Sequence, residues 1–262
     1  MEVVHPEYVP DPALSREEME ALQRDLAADA VFSDDLDVDP AEIALDEPPT
    51  ENATLGGDAD APVVVGIDQA FTDDEAVSAA VAIRDGSVVE TVEGRAPLDI
   101  PYIPGLLAFR EGGCILDALR RLDVDPDLLV LDGSGRIHFR EAGIATHIGV
   151  AVDTPSVGVA KNLLCGTPRT PLDEGPFPEG TKIPIEADDS MTTPDGTVVG
   201  HALQSRQYPN PERRHVNPLV VSPGHRVSAE TTVGVVDALC AGYKLPEPTR
   251  LADAAADDLK SR

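Results

Sequence analysis

The run Val63-Val64-Val65-Gly66-Ile67-Asp68 constrains this chain more than any other stretch. Five apolar residues in a row cannot sit on a strand with one wet face, so both faces of that strand must be covered. The run ends on an acid. Two alternating segments follow, 76–83 and 87–92, joined by Arg84-Asp85-Gly86, a hairpin signal. The order predicts three consecutive antiparallel strands.

Downstream, the pattern changes to alternating helix and strand. Residues 106–122 carry helical spacing, 127–131 form an apolar strand, 141–151 suit a helix and 156–159 a strand. Further strands are expected at 197–203 and 218–222, a helix at 227–241, and a short helical end near 250–259. A meander followed by such alternation predicts an α/β fold with a mixed central sheet, flanking helices and a single catalytic domain over 62–262. Ahead of it lies an acidic extension, 1–61. There Ser15-x-x-Glu18 is a capping box that opens an amphipathic helix bearing Met19, Leu22 and Leu26. Residues 33–61 read as a solvated, flexible insertion, and 166–196 as a long loop rich in Pro, Gly and acids.

Charge needs careful reading. The 262 residues hold 48 acids and 20 bases, for a net charge of −28. Acidity of this kind argues naively against a nucleic-acid partner. Yet residues 1–60 hold 18 of the acids and 2 bases, while 130–230, where the motifs concentrate, hold 12 and 9. A salt-rich cytoplasm would demand such a surface for solubility, and under that reading net charge does not identify the partner. Cys114, Cys165 and Cys240 form no CxxC pair, so neither a disulfide frame nor a zinc site is expected. No apolar run approaches membrane length and no leader pattern opens the chain, so a cytoplasmic, soluble protein is expected.

The candidate chemistry begins with acids at strand ends. Asp68 and Asp132 each terminate an apolar strand, where an open α/β sheet presents its ligand crevice. Glu111, on the second turn of the intervening helix, supplies a third carboxylate. Such a set suits hard divalent cations, two of which would clamp an in-line phosphoryl displacement; strand-end acids also serve as caps and turn residues. Pro101-Tyr102-Ile103-Pro104 is a stiff segment that presents an aromatic ring just ahead of Glu111. Asp132-Gly133-Ser134-Gly135 places His138 behind a loop that a ligand can approach closely. Lys161 follows a strand, and His225 and Arg226 precede a helix whose cap is Ser228, a position that favours anions.

The ordered blocks GIDQAF (66–71), PYIPGLLAFREG (101–112), DGSGRIH (132–138), GVAKNLLCG (158–166), VSPGHR (221–226) and GYKLPEPTRLAD (242–253) resemble the endonuclease V family. That resemblance implies an RNase H-like fold and an Mg²⁺-dependent endonuclease, with Mn²⁺ as the alternative ion. Its substrate would be DNA containing deaminated bases, hypoxanthine above all, cut at the second phosphodiester 3′ to the lesion. By motif position, Asp68, Asp132 and Glu111 would hold metal, and His225 would be a further active-site residue. Tyr102 would be the wedge that replaces the lesion in the stack, with His138 and Lys161 near the scissile strand. Gly105, Leu107, Gly133 and Ile144 would line the pocket for the extruded base. Departures from the family pattern are Gln69, Ser134, Phe139 and Asn162. An inosine-specific endoribonuclease and a lesion-binding module with lapsed catalysis are the alternative readings. A monomer is expected.

Overall fold

The computed structural model describes residues 1–50, 58 and 60–260. Nine strands form one mixed sheet in the order β3-β2-β1-β4-β5-β9-β8-β7-β6. The expected meander is its first half. Val63–Phe71 (β1) pairs antiparallel with Glu75–Arg84 (β2), and β2 with Ser87–Pro97 (β3). Leu128–Asp132 (β4) runs parallel to β1, and Ser156–Ala160 (β5) parallel to β4. Leu219–His225 (β9) returns antiparallel beside β5, followed by Val198–Leu203 (β8), Lys182–Glu186 (β7) and the two-residue Thr167–Pro168 (β6).

The unbroken apolar run of β1 is explained by its two coats. Val63, Val65 and Ile67 join Leu129 and Leu131 beneath Leu107–Arg120 (α2) and Ile144–Ala151 (α3), through Ile115, Leu119 and Ile148. The alternate set, Val64, Leu128, Val130 and Val157, packs against Val233 and Val236 of Ala229–Ala238 (α4). The period of two along each strand therefore divides the sheet into two dry faces. Glu247–Lys260 (α5) covers the second face of the meander, where Ala252 meets Val81 and Ile83. Its approach is close because Gly66 lacks a side chain: a Cβ there would lie 2.1 Å from the Pro248 backbone.

Four expectations change. The first is the solvated insertion expected at 33–61. Within it, Val38 and Ile43 are buried in the core beside α4, and the Leu45 N–H donates to the Ala238 carbonyl at 2.9 Å. Isolated apolar residues among acids and prolines carry no periodic signal, yet two suffice to pin a strap to a hydrophobic face. Residues 51–57 and 59 of that stretch lie outside the described residues. The loop expected at 166–196 contains β6 and β7, whose Ile183 and Ile185 are buried. The helical end expected near 250–259 begins at Glu247, since Pro248 in a first turn loses no hydrogen bond. Finally, β9 extends through His225, so this histidine is a strand residue and does not sit in a helix approach.

The expected N-terminal helix is Arg16–Asp29 (α1), with its capping box formed in both directions between Ser15 and Glu18. Among the described residues, no helix is long and apolar enough to cross a membrane.

Candidate active site

The parallel register places the two strand-end acids side by side. Gly66 lies opposite Val130 and Ile67 opposite Leu131, and one further step sets Asp68 beside Asp132. Both point to the face shared by Val64, Gly66, Leu128 and Val130, because all occupy even positions on their strands. Asp68 is 6% exposed, whereas the Asp132 side chain is partly open. Burial, and then the neighbouring Asp132 charge, raise the Asp68 carboxyl to about 8. The Gln69 N–H, 2.7 Å from Asp68 Oδ1, opposes that rise only in part.

A fourth acid joins from a direction that spacing does not reveal. Asp253 of α5 lies beside the Asp68 side chain, and its negative charge further disfavours the ionised form of Asp68. The glycine gap at position 66 brings Pro248 against β1, and Asp253 follows five residues later, about 7.5 Å along the helix axis. In sequence Asp253 is the last residue of the block GYKLPEPTRLAD, with no spacing that ties it to β1.

Glu111 approaches from the α2 side of the sheet and is 5% exposed. Burial raises its carboxyl to about 7, the Arg110 guanidinium 3.5 Å away opposes this, and Asp132 adds to it. Lys161 answers the cluster: its Nζ donates to Asp132 Oδ2 at 3.3 Å. Burial lowers the Lys161 pKa, but Asp132 outweighs burial and the net shift is upward.

Among the described residues, no three Asp, Glu, His or Cys side chains already stand as a ready-made metal cage. The donor set nevertheless fits a hard cation. Asp68, Asp132 and Asp253 offer carboxylate oxygens at one sheet end, burial and then the neighbouring acids drive Asp68 toward protonation, and an ammonium group takes up Asp132. A divalent ion would relieve the repulsion among these acids.

The PYIP segment and the DGSG loop meet through one carbonyl. Gly105, at φ +81°, presents its oxygen to Gln23 Nε2 at 2.9 Å, His138 Nε2 at 3.1 Å and Arg140 Nη2 at 3.2 Å. Gln23 Oε1 in turn accepts from Arg140 Nε at 2.8 Å. His138 is thus a buried post, 3% exposed. Burial holds its pKa down to about 4, and Nε2 carries the proton because Nδ1 accepts the Arg140 N–H. The ring supports the Gly105 carbonyl from within the fold. Tyr102 is the reverse case, 63% exposed at the tip of the segment. Leu107 and Ile144 pack in one cluster, and Ile144 Cγ2 lies 2.4 Å from where a Gly133 Cβ would stand. Gly105 is drawn toward them by the Gln23 link to Ala142 O.

His225 is not part of this assembly. It pairs with Ser156, while Val220 of the same strand pairs with Ala160 near the carboxylates, so His225 lies at the opposite end of β9. There it is buried, facing Asp153 at 3.3 Å and accepting the Val31 N–H at 3.2 Å. An antiparallel strand reverses which of its ends is at the site, and the motif read as sequence conceals this.

The Endonuclease V family model matches residues 51–254. The chain belongs to the Endonuclease V family. Endonuclease V of Halobacterium salinarum is 64% identical over 99% of this chain and all of that protein. The crystal structure of Endonuclease V from Streptomyces avermitilis is 32% identical, with a TM-score of 0.72 over 98% of this chain and 96% of that one. The Ciona intestinalis enzyme, crystallised with a 24mer DNA containing an inosine followed by a ribo-adenosine, is 24% identical with a TM-score of 0.67 over 94% and 98%, a likeness of fold. The protein is therefore an endonuclease of a metal-dependent family, and haloarchaeal relatives accompany its acidic surface.

Proposed function

We propose that this endonuclease acts on DNA containing hypoxanthine and hydrolyses the second phosphodiester 3′ to the lesion, using Mg²⁺, with Mn²⁺ as a substitute. The observation that carries this reading is the alignment of Asp68 beside Asp132 on adjacent parallel strand ends, with Asp253 and Glu111 closing in. The Ciona enzyme's bound inosine DNA supports the choice of lesion.

Asp68, Asp132 and Asp253 would hold the cation, with Glu111 at its edge. When bound, the cation supplies charge stabilisation for the displacement at phosphorus and lowers the pKa of water. The remaining work falls to side chains. Tyr102 enters the duplex where the lesion leaves; extrusion of a base costs a few kcal/mol, least for a mispaired one. Gly105, Leu107, Gly133 and Ile144 bound the receiving pocket, where Ile144 packs so closely on Gly133 that any Cβ would clash with it. Gln23, His138 and Arg140 fix the carbonyl at the base of the wedge. Lys161 guards Asp132 and is placed to meet a phosphate. The protein works as a cytoplasmic monomer in this reading.

The test is nicking of a labelled inosine duplex with Mg²⁺. Asp68→Ala and Asp132→Ala are expected to abolish cleavage, and full activity in either would overturn the assignment. Tyr102→Ala is expected to weaken binding to inosine DNA while leaving metal affinity unchanged. Matched DNA and RNA substrates in competition distinguish this reading from an inosine-specific endoribonuclease.

A further inference from the structure

Twenty bases face 48 acids in this chain, and most of them are taken up in ion pairs. Among the described residues, Arg24, Arg84, Arg120 and Lys260 have no carboxylate ion-pair partner and are scattered over separate elements, whereas Arg206, Arg213, Arg214 and Lys244, also without one, lie together. Three of the latter belong to one connection, 204–217, which carries a single acid, Glu212. Unpaired cations gathered in one place, in a protein this acidic, require an explanation.

The connection is a built arm. Gln204 is 1% exposed and donates to the carbonyls of Arg206 and Val216 at 2.7 and 2.9 Å, closing the neck. Gln207 Oε1 accepts the Val216 N–H at 3.0 Å, and its Nε2 reaches the Phe177 carbonyl at 3.2 Å. At the tip, the Asn210 carbonyl accepts the Arg213 N–H at 3.1 Å, and the Arg214 guanidinium lies 4.6 Å over the Tyr208 ring. Arg213 and Arg214 are exposed.

Its location follows from register. Leu203 pairs with Leu219, Val220 with Ala160, and Val159 with Asp132. The arm therefore leaves the sheet at the end that holds the carboxylates, two strand spacings from Asp132, or about 10 Å. A cleft lined by Lys161, Asn162, Asn217 and Pro218 joins the two places. Lys244, whose carbonyl accepts Ser205 Oγ at 2.6 Å, lies within the field of Lys161.

We propose that the 204–217 arm is a lesion-independent DNA contact: Arg213 and Arg214, with Arg206 and Lys244 at its base, take backbone phosphates of the strand lying over Asp68 and Asp132. It rests on the reading of that site as one that binds DNA, but not on the choice of lesion. A strand that rises 3.4 Å per nucleotide places the phosphates at the base of the arm roughly three nucleotides from the scissile bond, and those at its tip further along. Pairing with protein carboxylates would cancel the cations, so their freedom is what phosphate binding needs. The Tyr208 contact holds one of them without neutralising it.

The test is equilibrium binding of fluorescent duplexes, with inosine and without, across a KCl series in the absence of divalent ions. For Arg213→Ala/Arg214→Ala, the slope of log affinity against log salt is expected to become shallower by about 2, equally on both duplexes. Arg213→Lys/Arg214→Lys is expected to retain the wild-type slope, since lysine also neutralises a phosphate. An unchanged slope in the alanine variant overturns the proposal, as does an equal loss in the lysine variant, which would point to loop geometry. If the wild type binds both duplexes alike while the slope still falls by about 2, the lesion assignment fails and the arm stands.

Discussion

Asp68 concentrates the tension of this site. Its burial and its neighbours Asp132 and Asp253 all disfavour the charged form, so its pKa is raised to about 8. A carboxyl whose folded pKa exceeds its unfolded value binds a proton more tightly in the native state. Its stabilising contribution is thus complete below the unfolded pKa and is lost as pH climbs through about 8. The metal-free protein is expected to melt higher at pH 6 than at pH 9, with Glu111, raised to about 7, acting in the same direction. Asp68→Asn removes the charge, and at pH 8 or above it is expected to stabilise the metal-free chain by on the order of 1 kcal/mol, about 2–4 °C. Thermal unfolding in a chelating buffer checks both; a lower melting point for the asparagine variant would show that the repulsion is already relieved. Asp68, Glu111 and Asp132 are legible in the sequence because strand-end and helix-face positions have a period. Asp253 is not, since its role depends on a helix docking through the gap at Gly66.

Two elements outside the apolar pattern serve the site by long reach. The α1 helix is legible from its capping box and its apolar face. Gln23 is not, because a single polar residue on that helix has no signature and its partners lie 82 and 119 residues away. Gln23→Leu leaves the Gly105 carbonyl and Arg140 short of a partner and is expected to cost about 1–3 kcal/mol in urea denaturation. It is also expected to slow nicking with metal affinity unchanged, as the Gly105 carbonyl loses one of its three donors. The strap over 33–50 is a second case. Ile43→Ala is expected to cost about 2–5 kcal/mol, the range for truncating a buried aliphatic. A cost near zero would return this stretch to solvent. His225 belongs at this scale as well: its motif lies beside a helix in sequence, but strand direction carries the side chain to the far end of β9.

For the molecule as a whole, net charge acts on stability alongside the local effects. With a net charge of −28, self-repulsion opposes the compact state, and screening relieves it. Stability is therefore expected to rise with KCl through the range in which surface charges are screened, and circular dichroism melts along a salt series check this. The same screening weakens phosphate attraction, so under the proposed function recognition in salt would rest more on the exposed Tyr102 ring than on the charges of the 204–217 arm.

By itself the sequence determined the layered α/β fold, the meander, the three acids Asp68, Glu111 and Asp132, and the stiff segment bearing Tyr102. Each rests on a local rule: a period of two or 3.6, a cap, or a proline. Tertiary structure alone decided that Asp253 joins the acidic cluster, that His138 is a buried post, that His225 stands apart, that 33–50 is a packed strap, and that the arm bearing Arg206, Arg213 and Arg214 leaves the sheet at the carboxylate end. These depend on strand direction, on close approach at Gly66 and on partners far apart in the chain, none of which leaves a mark on neighbouring residues.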